Sequence, residues 1–304
     1  MTVVTPIFNN EHAIGQLVDR LAYAMSELAG GEWEHLLIDD GSTDMSWQEC
    51  ITIAKKHHHV RAIRLARNYG QQEAVRLGWT LANGKKLLTI SADLQDPPEL
   101  VPTLVNGVEG GWDLSVGQRQ NRRDPLTSRV LSRVANAFYV RSIPRYPSGG
   151  FDFYCAGDSL ATHIIKLNTK RLFMQGELIS SAQKIRFFPY TRERRAHGRS
   201  QWTQGNKLRK IFWDLFDAVA FPVKWFGLLS FFSVAAAAVY ATRVLYTYSV
   251  GGSPFEGWTP IILLILVFGS VQLVGLAILV ALLRRIILSM DNRSTIMLED
   301  TRAS

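Results

Sequence analysis

From Met1 to about Arg199 the chain alternates short apolar runs with longer mixed stretches. Residues 3–6, 35–39, 61–65, 86–91 and 114–117 are the apolar runs, of a length that suits buried parallel strands. Residues 13–28, 46–56, 72–81, 99–108 and 126–140 lie between and after them and read as helices. Strands alternating with helices predict an α/β fold, a mostly parallel sheet covered on both faces. Ligands of such sheets bind beyond the carboxyl ends of the strands. Beyond about Asn206 the pattern changes. Residues 225–242 form an uncharged run of 18 positions flanked by Lys224 and Arg243, and residues 260–283 an uncharged run of 24 followed by Arg284 and Arg285. A bilayer-spanning helix needs ~20 apolar residues. The second run meets that length, and the first meets it with Arg243 snorkelling and residues 244–248 extending it.

Residues 249–259, with Gly251, Gly252 and Pro254, read as the tight loop of a transmembrane helical hairpin. Lys207, Arg209, Lys210 and Lys224 before it, and Arg284, Arg285 and Arg293 after it, place both ends and the N-terminal domain on the cytoplasmic side. The expected organisation is a cytoplasmic domain over 1–203, a juxtamembrane segment over 204–223, the hairpin over 224–288 and a cytoplasmic tail over 289–304. Residues 206–221 interleave basic and aromatic side chains, which suits a helix lying in the membrane interface; a plain core helix fits the same residues. Met1 leads directly into the strand-like TVVTP, so no signal peptide is expected. The 304 residues carry a net charge of +8 and two cysteines, Cys50 and Cys155. Two cysteines cannot staple a fold, so the domain stands on its core. The basic excess suits phosphates or anionic lipid. It lies beside the hairpin rather than on an isolated basic module, which argues against nucleic acid.

Three acid-bearing turns fall at the predicted carboxyl edge: Pro6 to Glu11, Asp39 to Asp44, and Ser91 to Glu99. Carboxylates there suit two tasks, accepting hydrogen bonds from a nucleoside and holding a divalent cation against a diphosphate. Taken singly, Ser42 or Asp44 is an equally good helix N-cap, and Asp96-Pro97-Pro98-Glu99 an equally good helix start. The set in this order is more specific than any member.

VVTPIFNNE, LLIDDGSTD, LARNYGQQEAVRLG and SADLQDPPEL resemble family-two glycosyltransferases of the A-type, Rossmann-like fold, which use nucleotide-sugar donors. The resemblance is strongest to the polyisoprenyl-phosphate glycosyltransferases, the dolichol-phosphate mannose synthase-like group, whose bacterial type has a C-terminal two-helix hairpin. It implies donor binding by Pro6, Phe8, Asn10, Glu11, Asp39, Asp40, Ser91, Ala92 and Gln95, and a Mg or Mn ion held by Asp93 and Gln95. Three positions depart from the pattern. Ser91 replaces the first acid of the metal motif, Asn10 stands where a Glu is usual with the acid moved to Glu11, and Gln201 replaces a Lys.

A second cluster is basic: Arg119, Arg122 and Arg123 after the fifth strand, Arg129, Ser132 and Arg133 in the following helix, and Arg192, Arg194, Arg195, Ser200 and Gln201 before the membrane-proximal segment. Guanidinium groups bind phosphate bidentately and stay charged near lipid, and a solvated cationic face is the plainer reading of any one of them. The resemblance implies that Arg129, Ser132, Arg133, Arg192, Arg195, Ser200 and Gln201 hold a lipid phosphate, undecaprenyl or decaprenyl, and that Asp93, Asp152 and Arg119 are catalytic. The expectation is inverting transfer of one sugar from a nucleotide-sugar, uridine-linked, to a polyisoprenyl phosphate at the inner membrane, in a chain whose hairpin is compatible with a homo-oligomer. Three other readings are weighed. A processive synthase lacks support, because neither Q-x-x-R-W nor further spans are found. A silent binding protein is motivated by Ser91, Asn10 and Gln201, and a tethered transferase with a soluble acceptor shares the donor motifs. Sugar identity, placed near Gln118, Asn121 and Met174, is not legible. His57, His58 and His59 read as a solvated helix end.

Overall fold

The apolar runs pair into one sheet because each is bounded by a turn and is apolar on both faces. A computed structural model describes residues 1–28, 32–120, 143–147, 150–167, 174–193 and 297–302, with scattered positions between 232 and 286. Its strands are β1 (Thr2–Ile7), β2 (Glu34–Asp39), β3 (Val60–Leu65), β4 (Leu87–Thr89), β5 (Leu114–Gln120), β6 (Tyr154–Ala156), β7 (Ile185–Thr191) and β8 (Met297–Asp300). The order across the sheet is β7-β5-β6-β4-β1-β2-β3-β8. The pairs β1/β2, β1/β4, β2/β3 and β5/β7 are parallel, while β4/β6, β5/β6 and β3/β8 are antiparallel. The sheet is therefore mixed. Its five expected strands are present; of the three unexpected ones, β6 and β8 supply every antiparallel pairing, and β7 runs parallel to β5.

The helices are α1 (Ile14–Ser26), α2 (Ser46–Lys56), α3 (Gln71–Leu81), α4 (Val101–Glu109), α5 (Asp158–Lys166) and α6 (Met174–Ser181), with a 3-10 turn at Pro98–Leu100 leading into α4. In α1 the buried positions Ile14, Leu17, Val18, Leu21, Ala24 and Met25 recur at helical spacing, so one stripe faces the sheet. Alternation in β1 sends Val3 into the core shared with α1, α2 and α4, and Val4 to the opposite face beneath α3. There Gly78 sets the approach: a Cβ on it would stand 2.4 Å from Val4 Cγ1. Alanine improves helix propensity by ~1 kcal/mol, but overpacking costs ~1–3 kcal/mol. Gly78→Ala is therefore expected to lower the thermal unfolding midpoint; a raised midpoint would show that α3 can move off the sheet.

Two local expectations change. Neither Ser42 nor Asp44 is the N-cap of α2, since Met45 precedes it with no side-chain cap. Asp44 instead accepts from Ser46 N at 3.0 Å, and Ser42 Oγ accepts from Asn9 N at 3.0 Å, tying two of the acidic turns together. Of the three histidines after α2, His58 is exposed, but His59 is half-buried against Trp33 with ring centroids 4.3 Å apart.

Residues Met1–Arg209 and Arg293–Ser304 form one compact unit and Lys210–Asn292 another. Among the described residues no helix is long and apolar enough to cross a membrane. The expected helix over 126–140, the juxtamembrane segment and most of the hairpin lie outside the described residues. Within the second unit the described positions are helical except Val250 and mostly apolar, with large side chains exposed at Val239, Tyr246, Ile265 and Leu276. The tail is not a free appendage, because its residues 297–300 are the edge strand β8.

Candidate active site

The acidic turns meet at the carboxyl edge of β1, β2 and β4. After β1 the chain bends through Asn9, at a φ of 53°, and Asn9 Oδ1 accepts from Thr43 N at 2.9 Å. Asn10 N donates to Ser46 Oγ at 2.8 Å, and Glu11 Oε2 accepts from Met45 N at 2.7 Å. The Asn10 backbone and the Glu11 carboxylate, both at expected donor-binding positions, thus lock this turn to the next one. Pro6 is buried within β1 and Phe8 is half-buried just beyond it.

Asp39 closes β2 with no exposed surface, and Asp40 follows at 3% exposure. The two carboxylates do different work. Both oxygens of Asp40 accept backbone N–H groups, from Tyr69 at 2.7 Å and Gly70 at 2.9 Å, so Asp40 pins the loop after β3. Burial pushes its carboxyl up to about 6, against those two donors. Asp39 Oδ1 accepts from Ser42 N at 3.2 Å, whereas its Oδ2 has no hydrogen bond and lies 3.5 Å from Arg64 Nε. Burial raises the Asp39 carboxyl above its ordinary value, while Ser42 and Arg64 pull it down. Of the expected nucleoside pair, Asp39 is the one with an acceptor to offer. Gly41 is required in this turn: its φ is 70°, and a Cβ would stand 2.6 Å from the Arg67 carbonyl carbon.

After β4 the turn from Ser91 to Asp96 passes through Leu94 at a φ of 56°, a strained value for a leucine. Asp93 is 8% exposed, and its Oδ1 accepts from Gln95 N at 3.2 Å. Ala92 is buried beneath it, and Ser91 is half-buried. The turn is anchored from outside. Glu193 N donates to Gln95 O at 3.0 Å, and Arg20 Nη2 reaches both Glu99 at 2.7 Å and Glu193 at 2.9 Å.

The basic residues reach this turn from β5 and β7, which run parallel with Arg119 opposite Tyr190. Arg119 Nη2 donates to Asp152 Oδ2 at 2.7 Å and its Nε to Tyr190 OH at 3.2 Å; Tyr190 OH in turn donates to Asp96. Arg192, just past β7, lies 3.6 Å from Asp93 Oδ2 and 3.8 Å from Asp96 Oδ1. Asp96 has no exposed surface. Burial raises its carboxyl, while Arg119, Arg192 and Tyr190 oppose that. Burial disfavours charge on Arg119 too, yet Asp152 and Asp96 overcome it and hold the guanidinium charged. Asp152 Oδ1 accepts from Gln175 Nε2 at 3.3 Å, and Gln175 Oε1 accepts from Gln72 Nε2 at 3.1 Å. Gln71, Gln72, Asp152, Met174 and Gln175 line a small depression with a cavity volume of about 10 Å³. Arg129, Ser132, Arg133, Arg195, Ser200 and Gln201 lie outside the described residues.

Among the described residues no cluster of three His, Cys, Asp or Glu side chains is placed to hold a metal. The local donor set is one carboxylate, Asp93, with the Gln95 amide oxygen and the Ser91 hydroxyl beside it in the turn. These are hard oxygen donors that suit Mg2+ or Mn2+ only when the remaining ligands come with the diphosphate.

Sequence reading missed Asp96 as part of this network, taking it for a helix start, and missed Tyr190, Gln72, Gln175 and Arg64. No motif marks them. The one available signal was position, since Tyr190 precedes Arg192 by two residues and so shares its side of a strand.

This is the fold of an A-type glycosyltransferase. Glucosyl-3-phosphoglycerate synthase from Mycobacterium tuberculosis, in complex with Mn2+, UDP and glucosyl-3-phosphoglycerate, matches it with a TM-score of 0.51 at 19% identity, over 71% of this chain and 78% of that one. That likeness concerns the fold alone. The model described as Glycosyl transferase family 2 matches residues 2–162, and the chain belongs to this family. Undecaprenyl-phosphate 4-deoxy-4-formamido-L-arabinose transferase from Photorhabdus laumondii is 38% identical over 55% of this chain and 50% of its own length. Its namesake from Proteus mirabilis is 37% identical over 54% and 50%. The chain thus spans about half the length of these relatives. An uncharacterized glycosyltransferase from Synechocystis is 27% identical over 94% of this chain and 90% of its own length.

Proposed function

We propose that this chain transfers one sugar from a nucleotide-sugar, uridine-linked, to a polyisoprenyl phosphate, with inversion at the anomeric carbon. The observation that carries the reading is the junction of acids and guanidinium groups: Arg192 stands 3.6 Å from Asp93, with Arg119, Asp96 and Asp152 in the same network. A diphosphate brought to Asp93 thereby lies beside cations able to receive a second phosphate. The undecaprenyl-phosphate names of the relatives from Photorhabdus and Proteus support the acceptor class. The uncharged runs over 225–242 and 260–283 support a two-helix hairpin in the inner membrane, with the catalytic domain cytoplasmic.

The acceptor is a phosphate monoester with a second pKa of ~6, so it is ionised at neutral pH and needs no strong base. One of its oxygens attacks the anomeric carbon opposite the nucleoside diphosphate, and the bond to that diphosphate breaks. Asp152, held by Arg119 and Gln175, offers its carboxylate to orient the sugar's hydroxyl groups. Arg192 exchanges its carboxylate partners for oxygens of the acceptor phosphate and holds that phosphate beside the diphosphate. Asp93 and Gln95 would hold a divalent cation, which supplies further charge neutralisation at the diphosphate. Alignment of the two phosphates accounts for the remaining rate enhancement.

Incubation of the purified chain with labelled nucleotide sugars, undecaprenyl phosphate and Mn2+ or Mg2+ is expected to carry label into extracted lipid. Nucleotide binding without turnover would instead establish a silent binding protein, and label on a water-soluble acceptor a tethered transferase. In the same assay Ser91→Asp, which restores a second carboxylate, is expected to lower the half-saturating Mn2+ concentration by about tenfold. An unchanged metal requirement would remove Ser91 from the cation's surroundings.

A further inference from the structure

The edge strand β8 comes from the far end of the chain, yet its side chains lead back to the donor edge. Across the β3/β8 pair Glu299 stands opposite Arg64. Glu299 divides its carboxylate: Oε2 accepts from the Trp47 indole Nε1 at 3.1 Å, and Oε1 lies 3.7 Å from Arg64 Nη1. The Arg64 guanidinium also sits over the Trp47 ring, 5.8 Å from its centroid. Its remaining arm, Nε, faces Asp39 Oδ2, the buried oxygen that has no hydrogen bond. The strand itself is firmly seated. Asp300 receives a two-pronged contact from Arg61, and Thr301 exchanges backbone and side-chain bonds with Ala62.

We infer that Glu299 is a positioning residue for nucleotide binding: through Arg64 it holds the Asp39 carboxylate aimed at the N–H edge of the donor's base. The argument is geometric. A guanidinium that is 29% exposed at the side chain is free to swing to water unless something fixes its far side. Trp47 and Glu299 fix it, the ring by stacking and the carboxylate by charge. Without Glu299 the partly exposed Arg64 guanidinium is drawn toward water and away from the buried Asp39 carboxylate. The tail strand therefore completes the donor half of the site rather than merely covering a sheet edge.

This inference rests on the donor reading of Asp39, and the test separates the two. Binding of uridine diphosphate with Mn2+ to the full-length chain in detergent is measured by titration calorimetry for the wild type, Asp39→Asn, Arg64→Met, Glu299→Gln and Glu299→Asp. Asp39→Asn and Arg64→Met are expected to weaken binding at least tenfold, and Glu299→Gln about three- to tenfold. Glu299→Asp, which keeps the charge, is expected to recover most of the loss. Thermal unfolding midpoints of the Glu299 variants are expected to stay near the wild-type value, and the KM for undecaprenyl phosphate to stay unchanged. If Asp39→Asn weakens binding but both Glu299 variants bind like wild type, the inference falls and the donor reading stands. If wild type fails to bind, or Asp39→Asn is without effect, the donor reading falls and the inference with it. Equal losses in donor and acceptor KM for Glu299→Gln would also overturn it, since they report general loosening.

Discussion

Arg119→Met is expected to abolish sugar transfer and to destabilise the domain by ~3–5 kcal/mol, the cost of removing one partner from a buried ionic cluster. The side chain is 11% exposed and touches Asp152, Tyr190 and Asp96, of which Asp96 has no exposed surface. Without the guanidinium, Asp96 keeps only Arg192 at 3.8 Å and the Tyr190 hydroxyl as partners for a buried charge. The double variant Arg119→Met/Asp96→Asn is expected to recover part of the stability, because the orphaned charge is gone, and none of the activity, because the Arg119 guanidinium is still missing from Asp152. Chemical unfolding together with the lipid-extraction assay reads both effects. A single variant as stable as wild type would mean that the network is solvated rather than ionic.

Asp93→Ala is expected to lower turnover by roughly a thousandfold, comparable to removing one strong electrostatic contact from a transition state. Stability should change by less than in Arg119→Met, since the lost contacts include a 3.2 Å bond from Gln95 N within its own turn and a 3.6 Å ion pair to the partly exposed Arg192. Asp93→Asn separates charge from shape: it keeps an acceptor for Gln95 N and removes the negative charge. Asn is expected to be nearly as inactive as Ala. Retention of a tenth or more of the activity in Asn would assign Asp93 to shaping the turn rather than to the diphosphate and its cation.

These two variants show how unevenly the site was written in the sequence. Asp93 stands in a turn whose acids follow an apolar strand, and both its position and its chemistry were legible. Arg119 was legible as a cation but not as the centre of a buried network, because its partners come from separate places. Asp152 lies 33 residues away, Tyr190 lies 71 away, and Asp96 looked like a helix start. Asp39 and Asp40 are neighbours of identical type, yet one aims an unbonded oxygen at Arg64 while the other spends both oxygens on a loop. Only packing separates such a pair. Five strands were readable because each is apolar on both faces. The other three were not: β6 has three residues, β7 mixes buried and exposed positions, and β8 lies past the apolar runs. Strand pairing at long range leaves no periodic trace.

The placement of β8 also sets a timetable for synthesis. Arg61 and Asp300 are 239 residues apart, so the outer margin of the sheet stays unclosed while everything between them is translated. At the usual ~5–20 residues per second, that wait is roughly 10–50 s. Throughout it, the N–H and C=O groups along the outer side of β3 stay unpaired by β8, open to any extended segment that passes. The nascent domain therefore reaches its native margin only after residue 300 has been made.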